Sequence, residues 1–127
     1  MAEPTMGDLL LQAARRDAVA FAKLVHDSDV HDSIIGFHAQ QAIEKALKAV
    51  LFQHAVQVPR THNIDELLNA LADAAILAPP HALVLDELNP FAVQARYGAL
   101  DVGTLDRPVA ATRLNDVLAW ASGFWPA

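Results

Sequence analysis

The residues best suited to chemistry stand on one helix-forming stretch, FHAQQAIEKALKAVL, at residues 37–51. Five of its polar residues form what we call the polar seam: His38, Gln41, Glu44, Lys45 and Lys48. Lysines add positive charge for a phosphate, an imidazole can move a proton, and carboxylates and amides can pair with both. At about 100° per residue these side chains fall within an arc of about 120° on one helix. The spacing therefore predicts one shared polar surface.

The polar seam has two interpretations. Glu44 precedes Lys48 by four residues, which suits an ion pair on a solvated helix face. However, three large apolar residues share the arc, and such neighbours are typical of an interface rim or a cleft: Ile34, Phe37 and Phe52. Away from the seam runs a stripe of small residues, expected to pack inside the subunit: Ala39, Ala42, Ala46 and Ala49. The seam could therefore lie between subunits or line a cleft without being catalytic.

Arg96 and Tyr97 are the second candidate group, and we expect them to face the polar seam. The arginine could hold a phosphate with two hydrogen bonds, and the tyrosine could stack on a base or donate a hydrogen bond. The simpler alternative pairs Arg96 with Glu44 and lets Tyr97 close the core. His38 and His62 are weak candidates for proton transfer, since an imidazole titrates near neutral pH. For His62, satisfying backbone groups before the third helix is the simpler role.

The stretch HDSDVHD crowds potential metal ligands into one turn, at Asp27, Asp29, His31 and Asp32. Residues of this kind in a turn more often cap the following helix, so we predict caps and no metal site. Because there is no cysteine, a disulfide framework and a thiolate metal site are both excluded.

Apolar residues recur at steps of three and four through most of the chain, which predicts helices and no strands. Pro59, the pair Pro79-Pro80 and the two glycines at 98 and 103 separate the periodic stretches. Pro80 suits a first helical turn, and Pro90 predicts a kink or two short pieces near 86–90. The five helices are expected at about 7–26, 30–54, 63–75, 80–97 and 109–124.

Composition narrows the class of protein. The 127 residues suit a single domain, 1–127, in which 1–6 forms a loose N-terminus. Hydrophobic residues make up 54% of the chain, an excess that indicates surface covered by a partner, often a second copy. The net charge of −6 argues against a broad nucleic-acid-binding surface. With neither a membrane-spanning run nor an export signal in evidence, we expect a cytoplasmic protein.

Three stretches together resemble the HEPN domain family, especially its prokaryotic branch often encoded beside a minimal nucleotidyltransferase. They are FHAQQAIEKALKAVL, the connector VPRTHNIDELL, and LNPFAVQARYG, which ends in Arg96 and Tyr97. The resemblance implies an all-α, up-and-down bundle of four long helices plus a shorter one, commonly a homodimer. It also implies a nucleotide- or RNA-related role, often in a toxin–antitoxin-like or stress-response pair.

One family feature is missing. Many relatives with ribonuclease activity carry an arginine followed, after four to six residues, by a histidine. No arginine here has that spacing, and Arg60 has His62 only two positions on. We therefore predict a module that lacks the usual ribonuclease activity and has neither a metal site nor a cofactor. We expect this module to bind a nucleotide, RNA or a nucleotidyltransferase. The predicted binding residues are Gln41, Glu44, Lys45, Lys48, Arg96 and Tyr97.

Two alternatives to this prediction stay open. The first is a metal-independent ribonuclease that uses His38 or His62 in place of the missing histidine. The second is a purely structural subunit of a dimeric assembly, in which the polar seam is only a contact between chains.

Overall fold

A computed structural model describes residues 2–92 and 104–126. Within those ranges every regular element is a helix and there is no strand, which confirms the predicted all-α class. The elements are α1 (Met6–Leu24), α2 (Asp32–Gln53), α3 (Ile64–Asp73), a 3-10 helix (Leu85–Leu88) and α4 (Arg107–Ser122). None of these helices is both long enough and apolar enough to cross a membrane.

The centre of the bundle is α2, because the other described elements pack around it. Its start lies beside the end of α1 and its last turns lie beside Gly7, so the two helices run antiparallel. The two helices approach closely at Gly7 because glycine has no side chain. A Cβ atom at this position would lie 3.2 Å from the Ala49 carbonyl oxygen. The predicted alanine stripe is fully buried, which confirms it as a packing face: Ala39, Ala42, Ala46 and Ala49.

The helix starts follow capping chemistry, with one difference from the predictions, at the start of α1. Thr5 and Asp8 form a reciprocal capping box, so α1 begins at Met6. Of the residues 1–6 predicted to form a loose N-terminus, Thr5 is thus the helix cap and Met6 the first helical residue. His31, one of the turn residues predicted as caps, caps α2 through Nδ1, which accepts the Ser33 N–H at 3.0 Å. Asn63 caps α3 through Oδ1, which accepts the Asp65 N–H at 2.8 Å, and its own N–H donates to Thr61 Oγ1 at 3.0 Å.

The predicted fourth helix needs a correction. A helix does not begin at Pro80, because His81 has a left-handed backbone with φ of 62° and 80–84 form turns. The 3-10 helix ends at Leu88, just before Pro90, so the predicted interruption near 86–90 is present. Helical structure resumes at 91–92, and Arg96 and Tyr97 lie outside the described residues.

Gly36 lets the segment after the 3-10 helix reach α2, since a Cβ there would overlap the Phe91 ring. Alanine normally favours a helix over glycine by about 1 kcal/mol. Overpacking a filled site costs about 1–3 kcal/mol. We therefore expect Gly36→Ala to lower the free energy of unfolding in a denaturant titration, despite its better helix propensity. A stabilised variant would show that Phe91 does not pack here.

Arg107 joins α4 to the turn between α1 and α2. Its Nη1 donates to the carbonyl oxygens of Val25 and Asp27, each at 3.0 Å. Its Nη2 donates to the Val30 carbonyl oxygen at 2.6 Å, and Nε donates to Asp32 Oδ1 at 2.9 Å. Three of these four hydrogen bonds satisfy backbone carbonyl oxygens of the turn. Two of the turn residues predicted as caps, Asp27 and Asp32, thus accept hydrogen bonds from this arginine.

Asp32 gives the contact a pH dependence. The Leu105 N–H donates to its carboxylate at 3.0 Å, and with Arg107 it holds the pKa of Asp32 below its ordinary value. Because the folded pKa is lower than the unfolded one, the stabilisation is present above pH ~4 and is lost as pH falls through the folded pKa. We expect Asp32→Asn to cost about 1 kcal/mol near neutral pH. Denaturant titrations at several pH values should show that difference shrinking in acid.

Candidate functional site

The polar seam separates into two clusters, and the first surrounds Glu44. Only 4% of this side chain is exposed. Its Oε1 accepts the Gln40 Nε2 hydrogen at 3.0 Å, and its Oε2 accepts from Lys48 Nζ at 3.1 Å. His62 Nδ1 lies 3.0 Å from Oε1. A buried carboxylate with three donors is well compensated, so the cluster is a built polar site.

His62 combines exposure with a fixed orientation. Its side chain is 65% exposed, although Nδ1 contacts the buried Glu44 carboxylate. When Glu44 is ionised, Nδ1 must carry a hydrogen, which leaves Nε2 as the acceptor of the neutral ring. A carboxylate behind an imidazole fixes its tautomer and stabilises the imidazolium that forms on protonation. His62 can therefore take a proton from a bound group at Nε2.

Two glutamines hold the backbone beneath this imidazole. The Gln40 amide is fully buried and donates to the His62 carbonyl oxygen at 3.2 Å as well as to Glu44. Gln41 Nε2 in turn donates to Gln40 Oε1 at 2.7 Å. Sequence reasoning included Gln41 and missed Gln40. The available signal was the four-residue ladder from Gln40 through Glu44 to Lys48, which places all three on one helix side.

The second cluster surrounds Asp17 on α1. Its Oδ2 accepts from Lys45 Nζ at 2.6 Å, and its Oδ1 lies 3.1 Å from His38 Nδ1. The Asp17 side chain is 14% exposed, so this cluster ties α1 to α2. His38 also stands edge-on to Phe37, with ring centroids 5.6 Å apart. Sequence reasoning placed Lys45 and His38 with the other seam residues and missed Asp17, which comes from a different helix.

The charge of the Glu44 cluster depends on His62. Glu44 and Lys48 cancel each other, so a neutral His62 leaves no net charge and a protonated one leaves +1. An anion such as a phosphate is attracted only in the second case. The Lys48 side chain is 17% exposed and pairs with Glu44, so its ammonium group adds to the positive charge near a protonated His62. The predicted contact of Arg96 and Tyr97 with this site lies outside the described residues.

Fold and site together define a class: a helical bundle whose most buried helix presents a carboxylate to a solvent-facing imidazole on the following connector. The HEPN domain family model matches residues 8–119. The chain therefore belongs to the HEPN domain family. No curated protein and no solved structure matches the chain.

Proposed function

We propose that this HEPN protein is a nucleotide- or RNA-associated module that acts with a minimal nucleotidyltransferase partner. The setting would be a toxin–antitoxin-like or stress-response pair in the cytoplasm, with the HEPN chain as a homodimer. The observation that supports it best is the Glu44 cluster, in which an exposed imidazole is fixed by a buried carboxylate and backed by Lys48. Family membership supports the same class of ligand.

In this proposal a phosphate group binds at His62. The imidazolium donates from Nε2 to a phosphate oxygen while Nδ1 stays on Glu44, and Lys48 adds positive charge. Gln41 steadies the site through Gln40. Arg96 and Tyr97 complete it, the first as a phosphate ligand and the second by stacking on the base. Lys45, on the same helix as Lys48, pairs with Asp17 of α1 and adds further positive charge near the site.

A second candidate function is metal-independent RNA cleavage, and the Glu44–His62 geometry favours it specifically. His62 Nε2 would remove the proton of a ribose 2′-hydroxyl, and the 2′-oxygen would attack the adjacent phosphorus. The P–O5′ bond would break, the 5′-oxygen would leave with a proton from water, and a 2′,3′-cyclic phosphate would remain. His38 is less suited to this role because its ring is only 26% exposed and contacts Asp17.

Replacing His62 tests the binding site. His62→Ala is expected to raise the Kd for ATP about tenfold, since one charge-assisted hydrogen bond is lost. The measurement is isothermal titration calorimetry with both proteins in the same buffer. The matched control is His26→Ala, because His26 is also exposed but lies on the turn after α1. Equal affinity in wild type and His62→Ala would contradict the proposal, and Arg96→Ala examines the other predicted ligand.

Separate assays address the second activity and the partners. Wild-type protein is incubated with single-stranded and structured RNA in EDTA. Cleavage abolished by His62→Ala would favour the ribonuclease, and intact RNA would favour the binding module. Light scattering tests the homodimer, and co-purification with the product of the neighbouring gene tests the nucleotidyltransferase partner. A Gln41→Leu variant that dissociates the dimer and leaves nucleotide binding unchanged would instead support the purely structural role.

A further inference from the structure

A second surface, on the side of α3, has no role in the proposed nucleotide site. Leu83 is 96% exposed and Leu77 is 75% exposed, the highest values among the large apolar side chains in the described ranges. Beside Leu83 a groove of about 360 Å³ runs between α3 and the loop that follows it. Its apolar lining comes mainly from Leu68, Leu71, Ile76 and Leu83.

The loop that carries these leucines is held in place by α4. Trp120 Nε1 donates to the Leu77 carbonyl oxygen at 3.1 Å. His81 Nε2 lies 2.8 Å from Asp116 Oδ2, and the Val84 N–H donates to the His81 carbonyl oxygen at 2.9 Å. The side chain of Leu83 is therefore presented outward on an anchored turn. A preformed groove binds a partner at a lower entropic cost than a loop that must first order.

The charge of this surface is of one sign. Residues 63–92 contain no lysine or arginine and include five acidic residues: Asp65, Glu66, Asp73, Asp86 and Glu87. Two of them, Asp65 and Asp86, line the groove. Within the described residues neither forms an ion pair, whereas Glu87 pairs with Arg113 at 2.6 Å. An apolar groove flanked by carboxylates complements an apolar stripe flanked by cations.

We propose that this groove binds a basic amphipathic helix of a partner protein. Apolar residues at three- and four-residue steps on that helix would enter the groove and cover Leu83, and lysines or arginines beside them would pair with Asp65 and Asp86. A nucleic acid does not fit, because 63–92 offers no lysine or arginine for its phosphates. A second copy of this chain bound groove to groove is disfavoured, since a two-fold contact would bring the same acidic residues together.

Binding to synthetic peptides tests this inference on the full chain. The probe is a labelled helix of about five turns with one leucine stripe and lysines on both sides of it. The comparison peptide has the same composition, with the leucines spread around the helix. We expect fluorescence anisotropy to show binding of the striped peptide at least about tenfold tighter than the spread one. Leu83→Ser should weaken it by about tenfold, and Asp86→Asn by a few-fold, the latter most clearly at low salt.

The controls separate this groove from the rest of the surface. Leu9→Ser removes another exposed leucine, 46% exposed and on α1, and should leave peptide affinity unchanged. Absent binding, equal binding of both peptides, or equal weakening by Leu9→Ser would overturn the proposal. A dimer that Leu83→Ser dissociates would also overturn it, in favour of a second copy. His62 is not part of the groove, so the Leu83→Ser variant should still bind ATP. Measuring ATP and peptide binding in this variant therefore tests the two proposed sites independently.

Discussion

Glu44→Ala is expected to lower the free energy of unfolding by about 3–5 kcal/mol, the largest loss we anticipate from one substitution. The change removes the acceptor of three donors, so the Lys48 ammonium loses its carboxylate and the Gln40 amide keeps only the His62 carbonyl oxygen. It also opens a space at a position where only 4% of the side chain is exposed. Urea unfolding followed by circular dichroism measures the loss.

Two further variants locate the cause of that loss. Glu66→Ala removes an exposed glutamate from α3 and should change stability by no more than about 0.5 kcal/mol. The double variant Glu44→Leu/Lys48→Met replaces the pair with apolar groups and should regain much of the stability. If Glu44→Ala were as mild as Glu66→Ala, the carboxylate would have to face water, and the basis for orienting His62 would disappear.

Arg107→Ala is expected to cost about 2–4 kcal/mol, because it removes four hydrogen bonds, three of them to carbonyl oxygens of one turn. Of those three oxygens, only that of Asp27 keeps a second donor within the described residues, the Val30 N–H at 3.2 Å. Arg107→Lys should recover only a minor part, since an ammonium group cannot span the carbonyls and Asp32 together. Thermal unfolding and urea titration report both variants.

Arg113→Ala is the matched control for this prediction. Arg113 lies on the same helix and pairs with Glu87, whose side chain is 60% exposed, so its loss should change stability by no more than about 1 kcal/mol. Equal costs for Arg107→Ala and Arg113→Ala would mean that the turn finds other donors when the guanidinium is absent.

The helices were largely predictable because their apolar period and caps are local properties of the chain. α2 is the clearest case: its alanine stripe and its polar seam both follow from spacing alone. The start of the fourth helix was predicted wrongly, because Pro80 suits a first turn, whereas His81 has a left-handed backbone and its side chain contacts Asp116 on α4. Propensity cannot anticipate a partner 35 residues away.

The candidate site was predictable in part for the same reason. Glu44, Lys48 and Gln41 come from one helix, so a helical wheel groups them correctly. His62 lies on a connector and contacts Glu44 from 18 residues later in the chain. Lys45 and His38 contact Asp17 on α1, which precedes them by 28 and 21 residues. Side-chain pairs of that separation depend on packing, which periodicity does not contain. The full burial of Gln40 was not predicted either, because amide side chains on helices are usually exposed.

The guanidinium contacts of Arg107 have a consequence for how the chain folds during synthesis. The carbonyl groups it binds lie 77 to 82 residues earlier in the chain. While the ribosome is still making the middle of the protein, the first helical hairpin exists without the donor that completes its turn. The donor of these hydrogen bonds therefore joins the hairpin only after Arg107 has been synthesised.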